Sequence, residues 1–438
     1  MSRKGLLLLV VMALLVASSL GVVSAQDEAE VFCPEGDATV RVFLGAVGQE
    51  FELFQAGVAR FNEACPNIAV ELIETPDSTT DRLGLILQYA EAQSADVDIF
   101  QIDVIWPGIL AEHLVDLNEY ADPEAVAAHF PAIVENNTVN GALVGMPFFT
   151  DAGLLYYRTD LLEKYGLEVP TTWDELEAAA QTIQDGERAE GNEEFFGFVW
   201  QGNSYEGLTC DALEWMVSHG GGFISPEGEI LVNTPESIAA IERAAGWVNG
   251  ISPEGVTAYQ EEDARNVFQS GNAAFMRNWP YAYSLGNAED SAIAGLFDVS
   301  PLPSSEEDGP RAATLGGWQL AVSRYSANAE AAAAVVLYMT SYDEQKIRAI
   351  EGSYNPTIGA LYEDAEVLEA TPFFGSLFDV FTNAVARPST FTSTRYNEVS
   401  TLYWEAVHSV LTGENDAATA MEDLELDLQA IVDEMMAQ

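Results

Sequence analysis

From residue 39 onward the chain alternates short β-branched apolar runs with longer stretches whose hydrophobic residues recur three and four apart. No other feature constrains the fold as strongly. Residues 39–44 are apolar and β-branched, and residues 49–64 carry Phe51, Phe54, Val58 and Phe61 at helical spacing. Residues 68–73 read as the next strand, 81–92 as a helix with Leu83, Leu87 and Ala90 on one face, and 97–105 as a buried strand. This alternation predicts an α/β architecture in which crossover helices join a largely parallel sheet. After Met146 the pattern resumes. Thr172-Trp-Asp-Glu175 is a capping box that opens a helix through residue 183. A strand is predicted at 195–199, helices at 207–218 and 235–248, and a short strand at 273–277. The final part is helical over 327–351, 372–385, 394–411 and 416–436.

A chain of 438 residues is too long for one ordinary core and predicts at least two lobes. Open parallel sheets place ligands at the carboxyl ends of their strands, so two such lobes facing each other make a cleft. Architecture of this kind does not by itself specify chemistry.

The N-terminus carries its own signal. Arg3 and Lys4 precede an apolar run at 6–16, and Val23-Ser-Ala25 offers small residues for cleavage before Gln26. That is the pattern of a secretory signal peptide over residues 1–25. The alternative, a retained anchor, is disfavoured because the run is short of the roughly 20 residues that span a bilayer. Cys33 follows Glu30-Val-Phe32, which is not a lipid-attachment pattern. Residues 26–37 are acidic, lack periodicity and read as a mobile leader. Of the three cysteines, Cys33 and Cys65 could pair in an oxidising compartment, although spacing leaves the geometry open. Cys210 reads as a small buried hydrophobe. Neither the cysteines nor the four histidines form a metal motif, so neither a metal nor a cofactor is expected.

Several segments place aromatic residues beside planar polar groups: residues 145–151, 278–281, 316–318 and 386–388. A sugar has flat apolar C–H faces and a rim of hydroxyls. Rings cover the faces, while carboxylates and guanidinium groups hydrogen-bond the rim. Core packing is the competing reading for any single tryptophan.

Further motifs point to a family. Asp151-Ala-Gly-Leu-Leu-Tyr-Tyr-Arg158, Asp160-Leu-Leu-Glu-Lys-Tyr-Gly166, Gly271-Asn-Ala-Ala-Phe275, Arg277-Asn-Trp-Pro-Tyr281 and Thr314-Leu-Gly-Gly-Trp318 resemble those of family 1 extracellular solute-binding proteins. The likeness is greatest to the trehalose/maltose-binding branch and runs from about residue 38 to the end. It implies a two-lobed periplasmic-binding-protein fold of type II, with hinge crossings near residues 149–151, 316–318 and 364–366. Residues 38–148 with 319–364 would form the N-terminal lobe, and 150–316 with 366–438 the C-terminal lobe. It also implies a non-enzymatic monomer that binds a neutral disaccharide outside the cytoplasm and delivers it to an ABC permease.

Carried over residue by residue, the resemblance makes Glu50 an acceptor for sugar hydroxyls and Arg82 a bidentate donor. The competing reading of Glu50, a helix-start acid stabilised by the dipole, ranks behind the site role. Asp103, an acid ending an apolar strand, and Asp151 at a crossing would accept further hydroxyls, because an unpaired buried carboxylate is costly. Trp279 and Tyr281 would form a stacking floor. Gly316 and Gly317 would let the backbone approach the ligand, with Trp318 beside them and Arg387 as the second guanidinium. Phe149 departs from the pattern, since close relatives often carry tyrosine there. Trp106 is assigned to core packing ahead of stacking.

Two alternatives compete. A glycoside hydrolase could use Asp103 and Asp151, which would have to flank a scissile bond about 5–9.5 Å apart. A binder of another oligosaccharide or of glycerol phosphate is the other. A phosphate ester would want a basic cluster, which 17 lysines and arginines in the whole chain make hard to assemble.

Those 17 cations stand against 70 aspartates and glutamates, for a formal charge of −53. Such a surface repels nucleic acid and anionic membrane. Its self-repulsion is relieved by salt, whose screening length falls to about 3 Å at 1 M. This composition suits a secreted protein of a saline habitat, with an ordinary acidic periplasmic protein as the alternative. Under the saline reading the melting temperature rises by several degrees between low and molar salt. A calorimetric melt that does not move with salt would remove it.

Overall fold

The computed structural model describes residues 31–437. The expected signal peptide and the first part of the acidic leader lie outside the described residues. The strands are β1 (Ala38–Leu44), β2 (Ile68–Glu74), β3 (Ile99–Asp103), β4 (Thr138–Val139), β5 (Ala142–Leu143) and β6 (Met146–Ala152), followed by β7 (Leu154–Arg158), β8 (Phe196–Val199), β9 (Ala273–Asn278), β10 (Phe297–Ser300) and β11 (Leu315–Val322). One sheet has the order β2-β1-β3-β11-β6 and another the order β10-β7-β9-β8, while β4 and β5 form a separate ribbon. The molecule is therefore α/β and two-lobed, with one lobe built on each large sheet.

The expected parallel character holds only for part of each sheet. β1 pairs in parallel with β2 and β3, but β11 is antiparallel to both β3 and β6. In the other sheet only β8 and β9 are parallel. The reason lies in the connections. β6 runs through Gly153 straight into β7 of the other sheet, and the chain returns between β10 and β11. A strand that re-enters from the neighbouring lobe, with no crossover helix of its own, arrives antiparallel.

Local sequence fixes the helix ends as expected. Thr172 accepts from the Glu175 amide, and the Glu175 carboxylate accepts from the Thr172 amide, which closes the capping box at the start of the helix Trp173–Ala189. The helical stretch expected at 327–351 is two helices, Ala329–Met339 and Tyr342–Gly352, broken where Ser341 caps the second.

The two lobes have separate apolar cores. In one, Phe43, Leu83, Ile86, Phe100, Ile102 and Trp106 pack together. In the other, Trp173, Trp200, Trp215 and Trp247 form a cluster in which Trp200 and Trp215 lie edge to face, 5.0 Å apart at 89°. Three of the indole N–H groups have partners: Trp173 donates to Ser218, Trp200 to Ser252 and Trp247 to Glu177.

The third passage between the lobes falls later than expected. The chain stays with the first sheet past residue 364: the helix Ala365–Ala370 packs on Tyr342–Gly352, and Phe378–Thr382 packs on β6. Tyr362 packs on Phe374 and Phe378, and Phe130 packs on Tyr362 and Phe378. This aromatic surface holds the chain until about 383–388. The helix Tyr396–Leu411 then lies in the second lobe, where Tyr403 stacks on Phe223 at 3.9 Å.

The leader is not free along its whole length. Cys33 and Cys65 are joined by a disulfide, with their Cα atoms 5.5 Å apart. Asn67 donates to the carbonyls of Pro34 and Gly36. Among the described residues no helix is long and apolar enough to cross a membrane.

Candidate functional site

The site forms where strand ends of one sheet face helix starts of the other lobe. β3 ends at Asp103, beside Trp318 on β11, and Asp151 on β6 lies opposite Gly316. The backbone of β11 is tight at both glycines, and Gly317 in particular requires glycine. A Cβ on Gly316 would stand 3.1 Å from both Asp151 and Trp279. Gly317 has φ +121° and a Cβ there would meet the Phe149 carbonyl at 2.6 Å.

A small cavity opens here. Its lining brings together Glu50, Asp103, Phe149, Asp151, Trp279 and Tyr281, and also Gly316, Gly317, Trp318 and Arg387. Residues up to 337 positions apart in the chain therefore meet around one space. Arg82 is the exception. It does not line the cavity but lies behind it, buried, with its guanidinium carbon 4.2 Å from the centroid of the Trp318 ring. Arg82 Nε donates to the Pro76 carbonyl and Nη1 to Gln101 at 3.4 Å. The expected direct donor thus packs against Trp318 without lining the cavity, and its Nη2 is buried with no hydrogen-bond partner. Trp106 is buried edge-on against Trp318, as core packing requires.

The rings surround the space from both lobes. Tyr281 and Tyr354 face each other across 6.3 Å at 16°, and Phe149 contacts Tyr354 at 4.9 Å. Tyr281 donates its hydroxyl to Glu262, and Trp279 donates its indole N–H toward Glu261 at 3.5 Å.

Arg387 ties the two sides. Its Nη2 donates to Asp103 at 3.0 Å and its Nη1 to Glu206 at 2.8 Å, all three groups being buried. Glu206 also accepts from the hydroxyls of Tyr396 and Ser400. The remaining carboxylates are less well provided for. Burial pushes Glu50 up from the ordinary 4.5 to about 7, although Arg82 and the Gln101 side chain pull it back. Asp151 rises well above the usual aspartate range through burial and the nearby charges of Glu50 and Asp103. Its Oδ1 is buried with no hydrogen-bond partner. Burial likewise raises Glu206 and Glu261. Such a chamber is short of hydrogen-bond donors, and a polyhydroxylated guest supplies them.

The sequence reading missed Glu206, Glu261, Asp77, Thr79 and Tyr354, which also line the cavity. Glu206 and Glu261 are each the first residue of a helix, Glu206–Ser218 and Glu261–Gln269. In sequence such acids look like ordinary partners of the helix dipole. Only the shared direction of three helix starts, Glu50 included, separates a site from a habit of helix termini. Cys210 is buried as expected, but it also reaches the lining.

Comparison with known proteins places this geometry. A family model described as bacterial extracellular solute-binding protein matches residues 45–346. A probable ABC transporter-binding protein of Deinococcus radiodurans is 52% identical over 395 residues, covering 90% of this chain and 93% of the relative. An arabinooligosaccharide-binding protein of Halalkalibacterium halodurans is 23% identical over 425 residues, covering 90% of each. Among solved structures, maltose-bound MalE3 of T. maritima superposes with a TM-score of 0.86 at 42% identity, covering 90% of this chain and 100% of that one.

The Arg387 bridge generates its own expectation. Arg387→Ala leaves two buried carboxylates facing each other without their cation, a change that typically costs about 3–5 kcal/mol. Urea unfolding of the ligand-free variant measures that loss. A midpoint equal to that of the unaltered chain would show that the bridge contributes nothing.

Proposed function

We propose, from the premise that this chain belongs to the bacterial extracellular solute-binding protein family, that its cleft takes up a neutral disaccharide of the maltose or trehalose type. The protein is a sugar-binding component of an ABC importer and not an enzyme. In this reading it acts as a monomer outside the cytoplasm, released from a signal peptide. The lobes close on the sugar by a hinge motion, and the loaded form docks on the permease.

The observation that carries the ligand class is the make-up of one cavity. Trp279, Tyr281, Trp318 and Phe149 supply faces, while Glu50, Asp151 and Glu261 supply acceptors for hydroxyl donors. The MalE3 neighbour is bound to maltose, which supports the disaccharide reading. A phosphate ester would meet the same carboxylates, and the cation in the lining, Arg387, is already shared by Asp103 and Glu206. Phe149 offers a ring with no hydroxyl, so it supplies a face but no hydrogen bond to the sugar.

Calorimetric titration with maltose, trehalose, sucrose and glucose tests the proposal. Binding of maltose or trehalose ahead of glucose is expected, and absence of heat with all of them would overturn it. Trp279→Ala should weaken the preferred sugar by about ten- to a hundredfold, since a buried aromatic surface contributes roughly 1.5–3 kcal/mol. Its unfolding midpoint should change little.

Acidity should oppose binding. Glu50 has its folded value raised, so the stability it contributes is present below pH 4.5 and is lost as pH rises through about 7. A sugar hydroxyl that donates to the ionised carboxylate favours the opposite direction. Affinity therefore rises between pH 5 and pH 8, by about tenfold for one charge-assisted hydrogen bond. Titrations of Glu50→Gln across the same range should be flat by comparison. An unaltered slope would assign the effect to another group.

A further inference from the structure

A buried ion pair lies beside two of the passages between the lobes and behind a ring of the cavity. Arg277, on β9, lies with its guanidinium carbon 3.9 Å from the centroid of the Trp279 ring. Glu214, on the helix Glu206–Ser218, grips it through both oxygens: Arg277 Nη2 donates to Oε1 at 2.6 Å and Nε to Oε2 at 2.8 Å. Nη1 donates to Gln201 at 3.0 Å. Arg277, Glu214 and Gln201 are buried, and Trp279 is half-buried.

The same carboxylate reaches the connections between the lobes. Glu214 Oε1 accepts the backbone N–H of Thr314 at 3.0 Å, on the passage that leads into β11. At Gly153, between β6 and β7, there is no room beside the pair. A Cβ there would fall 2.1 Å from Glu214 Oε1 and 2.7 Å from Arg277 Nη2. The third passage is tied to the second, since the Leu315 amide donates to the Val385 carbonyl and the Val385 amide to the Ala313 carbonyl, both at 2.8 Å.

We propose that Arg277, clamped by Glu214, is a positioning residue that sets the orientation of the Trp279 ring and links it to the passages between the lobes. A guanidinium fork held in plane by a bidentate carboxylate is a rigid platform. A ring lying on that platform is fixed in tilt by the cation–π contact. Movement at Gly153 or Thr314 displaces the carboxylate, and the displacement reaches Trp279 through the fork. The bland alternative is that Arg277 only neutralises Glu214 and Asp211 in the core. That role would affect stability without acting through Trp279.

Two substitutions separate these. Gly153→Ala crowds the pair without removing a charge, and Arg277→Lys keeps the charge but removes the planar fork. The affinity measurement rests on Trp279 being a sugar-stacking ring, as proposed above. With maltose as probe, each change should weaken binding by about tenfold. In a Trp279→Ala background the same change should then alter affinity less than about twofold. Full tenfold losses in that background would overturn the proposal.

A ligand-free measurement keeps the test independent of the sugar. In protein labelled with 5-fluorotryptophan, the fluorine resonance absent from Trp279→Phe identifies that ring among the eight tryptophans. Both substitutions should shift this resonance and leave those of Trp200 and Trp215 in place. A stationary Trp279 resonance would also overturn the proposal. If the unaltered chain bound none of the sugars, the disaccharide reading alone would fail, and the fluorine result would decide the positioning role.

Discussion

One guanidinium sits where both lobes need it. Arg387 meets Asp103 at the end of β3 and Glu206 at the start of a helix in the second lobe, in a region almost closed to water. Two carboxylates at that depth repel each other, and neither is stable as a lone buried anion. The shared cation makes their proximity tolerable and so fixes how the end of the first sheet stands against the second lobe. The hydroxyls of Tyr396 and Ser400 complete the satisfaction of Glu206. On the cavity side the Asp151 Oδ1 has no hydrogen-bond partner, and burial makes Glu50 inclined to keep its proton. Carboxylates short of donors around that space suit a guest rich in hydroxyls.

The tryptophans divide along the same line. Trp173, Trp200, Trp215 and Trp247 fill one core, with the N–H groups of Trp173, Trp200 and Trp247 internally paired. Trp279 and Trp318 each have a buried arginine against one face and border the cavity. An indole in a core needs only volume and a partner for its N–H. An indole meant to stack on a ligand must keep a face available, and it needs support from behind to hold its angle. Arg82 and Arg277 provide that support in the two lobes. The arginine that looked like a ligand contact thus works at one remove from the space it serves.

Much of the site was legible because its residue types are unusual for their surroundings. An acid closing an apolar strand, as Asp103 does, and a Gly-Gly-Trp run at 316–318 both signal a backbone and side chain shaped by something other than the core. Glu206 and Glu261 carried no such signal, since acids at helix starts are ordinary. Tyr354 follows Ser353, which ends its helix at φ +55°, and no periodicity announces where such a residue points. The third passage was misplaced for a related reason. Tyr362, Phe374 and Phe378 read as generic helical hydrophobes, and only their mutual packing keeps that stretch with the first lobe.

The sequence by itself determined the α/β class, the positions of most strands and helices, the capping of the helix at Trp173, and the residue types available to bind. These follow from local periodicity and local hydrogen bonding, which act over a few residues. Tertiary structure alone decided that β11 returns antiparallel, that Cys33 bonds to Cys65, that Arg82 stands behind Trp318, and that Arg387 joins Asp103 to Glu206. Those outcomes depend on contacts between residues far apart in the chain, set by strand direction, ring packing and the need of each buried charge for a partner, none of which leaves a repeating mark in the sequence.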